Sequence, residues 1–140
     1  MVRHLYNCPC IVLWTLFNEG WGQFDSADFF RKVKKMDPTR LIDHASGWHD
    51  QGSGDIDSHH SYFKKQKVVP DRRGSGRPYV ITEFGGYAYK LPEHSFNLEK
   101  TYGYRKYDTR EDFVRQLREL YRSLIPLMRQ GLCGAVYTQV

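Results

Sequence analysis

Residues 10–22 read Cys-Ile-Val-Leu-Trp-Thr-Leu-Phe-Asn-Glu-Gly-Trp-Gly. Between Cys10 and Leu16 only Thr15 interrupts the apolar run. A short apolar run of this kind fits a strand covered on both faces, as in a parallel sheet. Asn18 and Glu19 follow at once, and two glycines then flank Trp21. Glycine lets a backbone bend tightly or approach a ligand closely. A tryptophan in a polar loop offers a flat apolar face, for packing or for stacking a sugar. Glu19 therefore reads either as a solvated strand end or as a group held at the mouth of a sheet for chemistry.

Working outward from this stretch, strands and helices alternate. Ser26 is placed to cap a helix running to Met36, with Phe29, Phe30, Val33 and Met36 on one face. Asp28 in its first turn and Lys34-Lys35 near its end suit the helix dipole, and Asp37-Pro38 stops it. Leu41–His44 is a short second strand, and residues 55–62 contain a third. A Gly-, Arg- and Pro-rich loop covers residues 69–78. Tyr79–Thr82 reads as a fourth strand, and residues 87–109 as a Tyr-rich excursion. Glu111–Gln130 is a helix whose stripe is Phe113, Leu117, Leu120, Tyr121 and Leu124. Pro126 is expected to kink it late, and Gly131 to follow its end. Ala135–Val140 is a fifth strand.

This order is that of a parallel α/β protein. No GxGxxG turn or P-loop follows any strand, so a dinucleotide or nucleotide fold is disfavoured. Polar residues gather instead at strand C-terminal ends: Asn18-Glu19, His59-His60 and Glu83. A (β/α)8 barrel concentrates its active site there. Five strands do not close an eight-stranded barrel, so the expectation is either an open sheet or part of a barrel.

Composition narrows the function classes. The chain has 140 residues, 40% of them hydrophobic and 15% aromatic, which suits one globular domain and excludes disorder. Its longest apolar run, Cys10–Trp14, is far short of the ~20 residues that span a bilayer, so no membrane partner is expected. The net charge of +5 raises nucleic acid as a partner. The basic residues are scattered, however, and none of their groups is interleaved with aromatics, so a nucleic-acid role is not expected. Three cysteines form no even framework, which favours a reduced, cytoplasmic setting, although a leader on a longer parent chain would not be visible. Cys8-Pro9-Cys10 lacks the spacing and the four ligands of structural zinc, and no metal or other cofactor is expected.

Two carboxylates carry the functional reading. Glu83 repeats the setting of Glu19: a short strand, then the acid, then Phe84 and the pair Gly85-Gly86. Two glutamates at the ends of two parallel strands can converge over one pocket. Glycoside hydrolysis requires such a pair, one protonating the leaving oxygen and one acting as nucleophile or activating water.

At these residues the chain resembles glycoside hydrolase family 2, which contains β-galactosidases, β-glucuronidases and β-mannosidases. Tyr6–Trp21 is similar to the fourth strand of that family's catalytic barrel, and Val80–Gly86 to the seventh. Gly47-Trp48 resembles the loop after strand five, Asp55–Tyr62 strand six, and Ala135–Gln139 strand eight. The resemblance implies a partial (β/α)8 TIM barrel, roughly strands 4 to 8, filling residues 1–140. Strands 1 to 3 and the preceding β-sandwich domains would lie outside the chain. It further implies a retaining β-glycosidase, β-galactosidase-like, acting on a β-linked sugar or oligosaccharide. Glu19 would be the general acid/base and Glu83 the nucleophile. Asn18 would bind the sugar 2-hydroxyl, and Tyr62 would orient the nucleophile. His60 would line the pocket, with a structural strand-end histidine as its alternative. Trp21 and Trp48 would offer stacking faces, and Tyr137 would sit on the pocket floor.

There are two departures. Asn7-Cys8-Pro9 stands where the family usually has Asn-His-Pro, and no Asn-x-Lys signature for a uronic acid is present. The alternatives are a catalytically incomplete carbohydrate-binding remnant and, more remotely, a basic nucleic-acid-binding protein. Half a barrel would also expose sheet edges, so self-association through them is expected.

Overall fold

The computed structural model describes residues 1–62, 66–68 and 74–139. Most of the 69–78 loop expected from sequence, the basic pairs Lys64-Lys65 and Arg72-Arg73, and Val140 lie outside the described residues. The described elements are α1 (Val2–Leu5), β1 (Leu13–Thr15), α2 (Ser26–Met36), β2 (Leu41–Asp43), β3 (Asp57–Tyr62) and β4 (Tyr79–Gly85). After these come β5 (Tyr87–Tyr89), a 3-10 turn (Pro92–His94), β6 (Arg105–Tyr107), α3 (Arg110–Met128) and β7 (Leu132–Thr138).

Strand pairing is parallel throughout, as the alternation predicts. β1 pairs with β2, and β3, β4 and β7 form a second sheet in that order. The β1–β2 ladder runs on beyond both strands: Ser46 N donates to Phe17 O at 2.8 Å and Glu19 N to Ser46 O at 2.9 Å. Between β2 and β3 the link is made by side chains. Ser58 Oγ on β3 lies 2.9 Å from Asp43 Oδ1 and 3.2 Å from Ala45 O. The principal strands thus follow one another across the molecule in chain order, with all their C-terminal ends on one side. Among the described residues the sheets stay open and no barrel closes. No described helix is long and apolar enough to cross a membrane.

Two apolar clusters hold the layers together. Trp14, Ile42, Val33 and Val2 join β1 and β2 to α2 and α1. Tyr79, Ile81, Phe84, Leu120, Leu127 and Leu132 join the three-stranded sheet to α3. Beneath the first cluster, at the N-terminal end of the strands, Asp37 is fully buried. It accepts from Trp14 Nε1 at 2.8 Å, Thr39 Oγ1 at 2.6 Å and Arg40 Nη1 at 2.8 Å. Burial alone would raise the Asp37 pKa. The donors from Thr39, Trp14 and Arg40 together outweigh it and hold the carboxyl well below the usual carboxylate range.

Several local expectations are corrected. The apolar run 10–16 is a strand only from Leu13 to Thr15, and Val12 is 73% exposed. Arg40 explains the late start: Nη2 takes Cys8 O at 2.9 Å and Nε takes Ile11 O at 2.8 Å, so these carbonyls serve a guanidinium instead of a ladder. Asp25, in a left-handed conformation, occupies the position before α2, and Ser26 is the buried first helical residue instead of the cap. Met36, placed on the apolar face by periodicity, is exposed. Thr109 caps α3 by accepting from Asp112 N at 3.2 Å, so the helix starts one residue earlier than expected, and it runs through Pro126 to Met128. β4 extends past Thr82, so Glu83 sits within a strand, not after one. The 87–109 excursion contains its own parallel pair, β5 with β6. Tyr89 and Tyr107 on these strands pack against Phe113 of α3, each with ring centroids 6.2 Å apart.

Candidate active site

The strand ends bring Glu19 and Glu83 together. Glu19 leaves β1 in the left-handed region (φ 53°), a conformation uncommon outside glycine, and its backbone is fixed by the extended ladder to Ser46. Glu83 faces the opposite way from Phe84, which is buried against Leu120 and the rest of the apolar cluster on α3. One carboxylate oxygen from each glutamate and one ring nitrogen of His60 all lie within 4.8 Å of one another.

His60 is the centre of this group, and its side chain is fully buried. Its Nδ1 lies 2.8 Å from Glu19 Oε1. Its Nε2 lies 3.1 Å from Ser46 Oγ and 3.7 Å from Glu83 Oε1. Ser46 Oγ is in turn 2.9 Å from Thr82 Oγ1. Gly47 makes this placement feasible, because a Cβ there would overlap the His60 ring. The neighbouring His59 points the other way, stacking on Tyr79 at 4.5 Å and bonding Asp57 Oδ1 at 3.0 Å. The pair His59-His60 thus divides between a structural and a site-facing residue, as strand alternation requires.

Tyr62, two residues after His60, lies on the same face. Its hydroxyl donates to Glu83 Oε2 and lies 3.4 Å from Glu19 Oε1. Burial, and then the adjacent Glu83 carboxylate, push its pKa upward, so this phenol stays protonated and serves as a donor. Asp43, on β2 behind His60, is raised by burial, partly offset by Ser58 and Ser46.

The remaining expected residues divide. Asn18 immediately precedes Glu19 and bridges to Ser46 through its backbone. Trp48 is half-exposed at the site rim, its ring 6.4 Å from that of His60. Trp21 is 80% exposed. Tyr137 is not brought to the carboxylates. Its ring packs edge-on to Phe84 at 5.6 Å and stacks on Tyr121 at 6.1 Å. Its hydroxyl accepts from Tyr87 N at 2.9 Å. These contacts place it on the α3 side of β7.

The structure adds residues that the sequence reading passed over. Ser46 and Thr82 link His60 to β2 and β4. Tyr104, from the excursion, stacks on Tyr62 with centroids 4.3 Å apart. Its pKa is raised first by its hydrogen bond with Tyr102. Gly86 admits the Tyr104 ring, since a Cβ there would collide with it. The signal was present as Tyr-Gly-Tyr at 102–104 opposite Gly85-Gly86, but nothing local says which tyrosine turns inward.

A comparison with protein families finds that the model described as glycosyl hydrolases family 2, TIM barrel domain, matches residues 1–95. That span includes both glutamates, His60 and Tyr62. A search of curated proteins returned no match.

Proposed function

The chain belongs to the glycosyl hydrolases of family 2, through their TIM barrel domain, and on that premise we propose that it carries the chemistry of a retaining β-glycosidase. The observation that carries the reading is the approach of one carboxylate oxygen of Glu19 to one of Glu83, within 4.8 Å, at one end of parallel strands. Retaining enzymes hold their carboxyls about 5–5.5 Å apart, and inverting enzymes about 6.5–9.5 Å apart to admit a water.

In this reading Glu83 attacks the anomeric carbon while Glu19 passes a proton to the departing oxygen. The glycosyl–Glu83 ester is then broken by water, which gives its proton to Glu19 as it attacks. Tyr62 holds Glu83 in place through the donated hydrogen bond and stabilises its charge. Asn18 meets the sugar 2-hydroxyl, and Trp48 and Trp21 provide apolar faces for sugar rings. The substrate is a β-linked sugar or oligosaccharide, β-galactoside-like in class. β1, β2, β3, β4 and β7 stand for the fourth to eighth strands of the barrel, with residues 1–140 as its later half.

Among the described residues β1 and β7 have an unpaired edge, which favours a second reading, a carbohydrate-binding remnant that associates through those edges. Labelling with a 2-fluoro glycoside inactivator separates the two. Mass spectrometry is expected to find the label on Glu83 and to lose it in Glu83→Gln, and azide is expected to restore turnover to an inactive Glu19→Gln variant. Sugar binding without labelling, in a chain that sediments as an oligomer, would favour the remnant.

A further inference from the structure

Both glutamates are served by one imidazole, but unequally. His60 Nδ1 is within hydrogen-bond distance of Glu19, at 2.8 Å, whereas the 3.7 Å from Nε2 to Glu83 is too long. Ser46 Oγ occupies Nε2 instead, at 3.1 Å. Ser46 can donate there because Thr82 Oγ1, 2.9 Å away, can supply a hydrogen to the serine oxygen. A chain of hydrogen-bond contacts runs from Thr82 through Ser46 and His60 to Glu19 Oε1.

We propose that His60, in its Nδ1–H tautomer, is the positioning residue that fixes the transferable proton of Glu19 on Oε2. A protonated carboxyl has one acceptor oxygen and one hydroxyl. With Oε1 committed as acceptor to Nδ1–H, the proton resides on Oε2. The proposal rests on the glycosidase reading for its consequence, and on geometry alone for the tautomer. In the first step the Oε2–H bond breaks and the glycosidic oxygen takes the proton. The C–O bond to the leaving group breaks as the C–O bond to Glu83 forms. Nδ1–H then remains on Oε1 and stabilises the new Glu19 carboxylate, a charge-assisted bond stronger than the one it replaces. In the second step water returns a proton to Oε2. His60 itself never gains or loses a proton.

Side chains from several elements face the imidazole. Glu19 faces it from the loop after β1, Asp43 and Ser46 from β2 and its continuation, Tyr62 from β3, and Thr82 and Glu83 from β4. Of these acids only Glu19 lies within hydrogen-bond distance of the ring. Asp43 Oδ1 is engaged by Ser58, and Glu83 by Tyr62.

Two measurements test this. The first is 15N NMR of the histidine side chains at mildly alkaline pH. His60 is expected to show a protonated Nδ1 and a bare Nε2, and Ser46→Ala is expected to weaken that preference. A protonated Nε2 with a bare Nδ1 overturns the proposal, and this measurement needs no activity. The second compares β-glycosides bearing a methyl leaving group, which needs the proton, and a 2,4-dinitrophenyl group, which does not. Positioned acid–base groups contribute ~10²–10⁴-fold in rate. His60→Phe is expected to lose about tenfold or more kcat on the methyl glycoside relative to its loss on the dinitrophenyl one, with KM little moved. His60→Asn, whose amide N–H can stand near Nδ1, is expected to recover part of that difference. Equal losses on both substrates would mean that His60 is merely structural. If the unmodified chain cleaves neither substrate, the glycosidase reading fails for this chain while the NMR result still decides the tautomer.

Discussion

One carboxylate at the N-terminal end of the strands and a pair at the C-terminal end make different use of the same kind of group. Asp37, at the N-terminal end, is saturated by an indole, a threonine and a guanidinium, and is fully buried. Glu19 and Glu83, at the C-terminal end, are part-exposed and share an imidazole and a phenol. Asp37 has no access to a ligand and its charge is permanently matched. The glutamates keep a side open to solvent, and the groups around them orient more than they neutralise. In a barrel-type fold, function gathers at the C-terminal face and stability at the other. The difference shows how one architecture keeps a solvent-facing pair of acids apart from the acid that locks it.

The largest expected contrast comes from adjacent residues of β4. Glu83→Gln should abolish formation of a covalent glycosyl intermediate with little change in the unfolding midpoint. Phe84→Ala should leave the carboxylates in place but cost about 3–5 kcal/mol of stability, as truncation of a fully buried aromatic does. Urea unfolding of both variants checks this, and a comparable stability loss in Glu83→Gln would break the division between the two ends.

Next in size is the response to Asp37→Asn. It weakens the Arg40 ion pair and leaves an amide N–H facing donors, so the midpoint should fall further than in any single site variant. The pH dependence follows from the same group. The folded pKa of Asp37 is depressed, so its contribution is fully present above the unfolded carboxylate range near pH 4. It is lost progressively as pH falls from there through the folded value. Unfolding midpoints measured from neutral to strongly acidic pH should decline on that side, and the Asn variant should decline less steeply.

Glu19→Gln should cost ~10²–10⁴-fold in turnover of a substrate with a poor leaving group, and much less with an activated one. The smallest effect belongs to Trp21→Ala. An exposed side chain outside the packed clusters should change stability by no more than about 0.5 kcal/mol. A rise in KM for an oligosaccharide, without that stability change, would assign its indole to substrate.

The two ends were unequally legible in the sequence. Helix α2 ends at Met36 as Asp37-Pro38 predicts, although Asp25 and not Ser26 holds the position before it, and the strand order follows from alternation. The pair of glutamates stood out because an acid directly beside a buried strand is unusual. Asp37 was read only as a helix stop, since Asp-Pro says nothing about Trp14 or Arg40 folding back on it. The side that Tyr137 faces is not legible, because a strand residue can face either side and only packing against Phe84 and Tyr121 selects one. The start of β1 was misjudged because the carbonyls of Cys8 and Ile11 are claimed by an arginine 29 or more residues away.

By itself, then, the sequence determined the α/β alternation and the family, and it singled out the two acids as candidates, because periodicity and residue order are local properties. Tertiary structure alone decided which histidine turns inward, which tyrosine reaches Glu83, and how Ser46 and Thr82 join the site. Those choices depend on strand register and on glycines that permit close approach. A one-residue change in register would exchange the site-facing and core-facing sets.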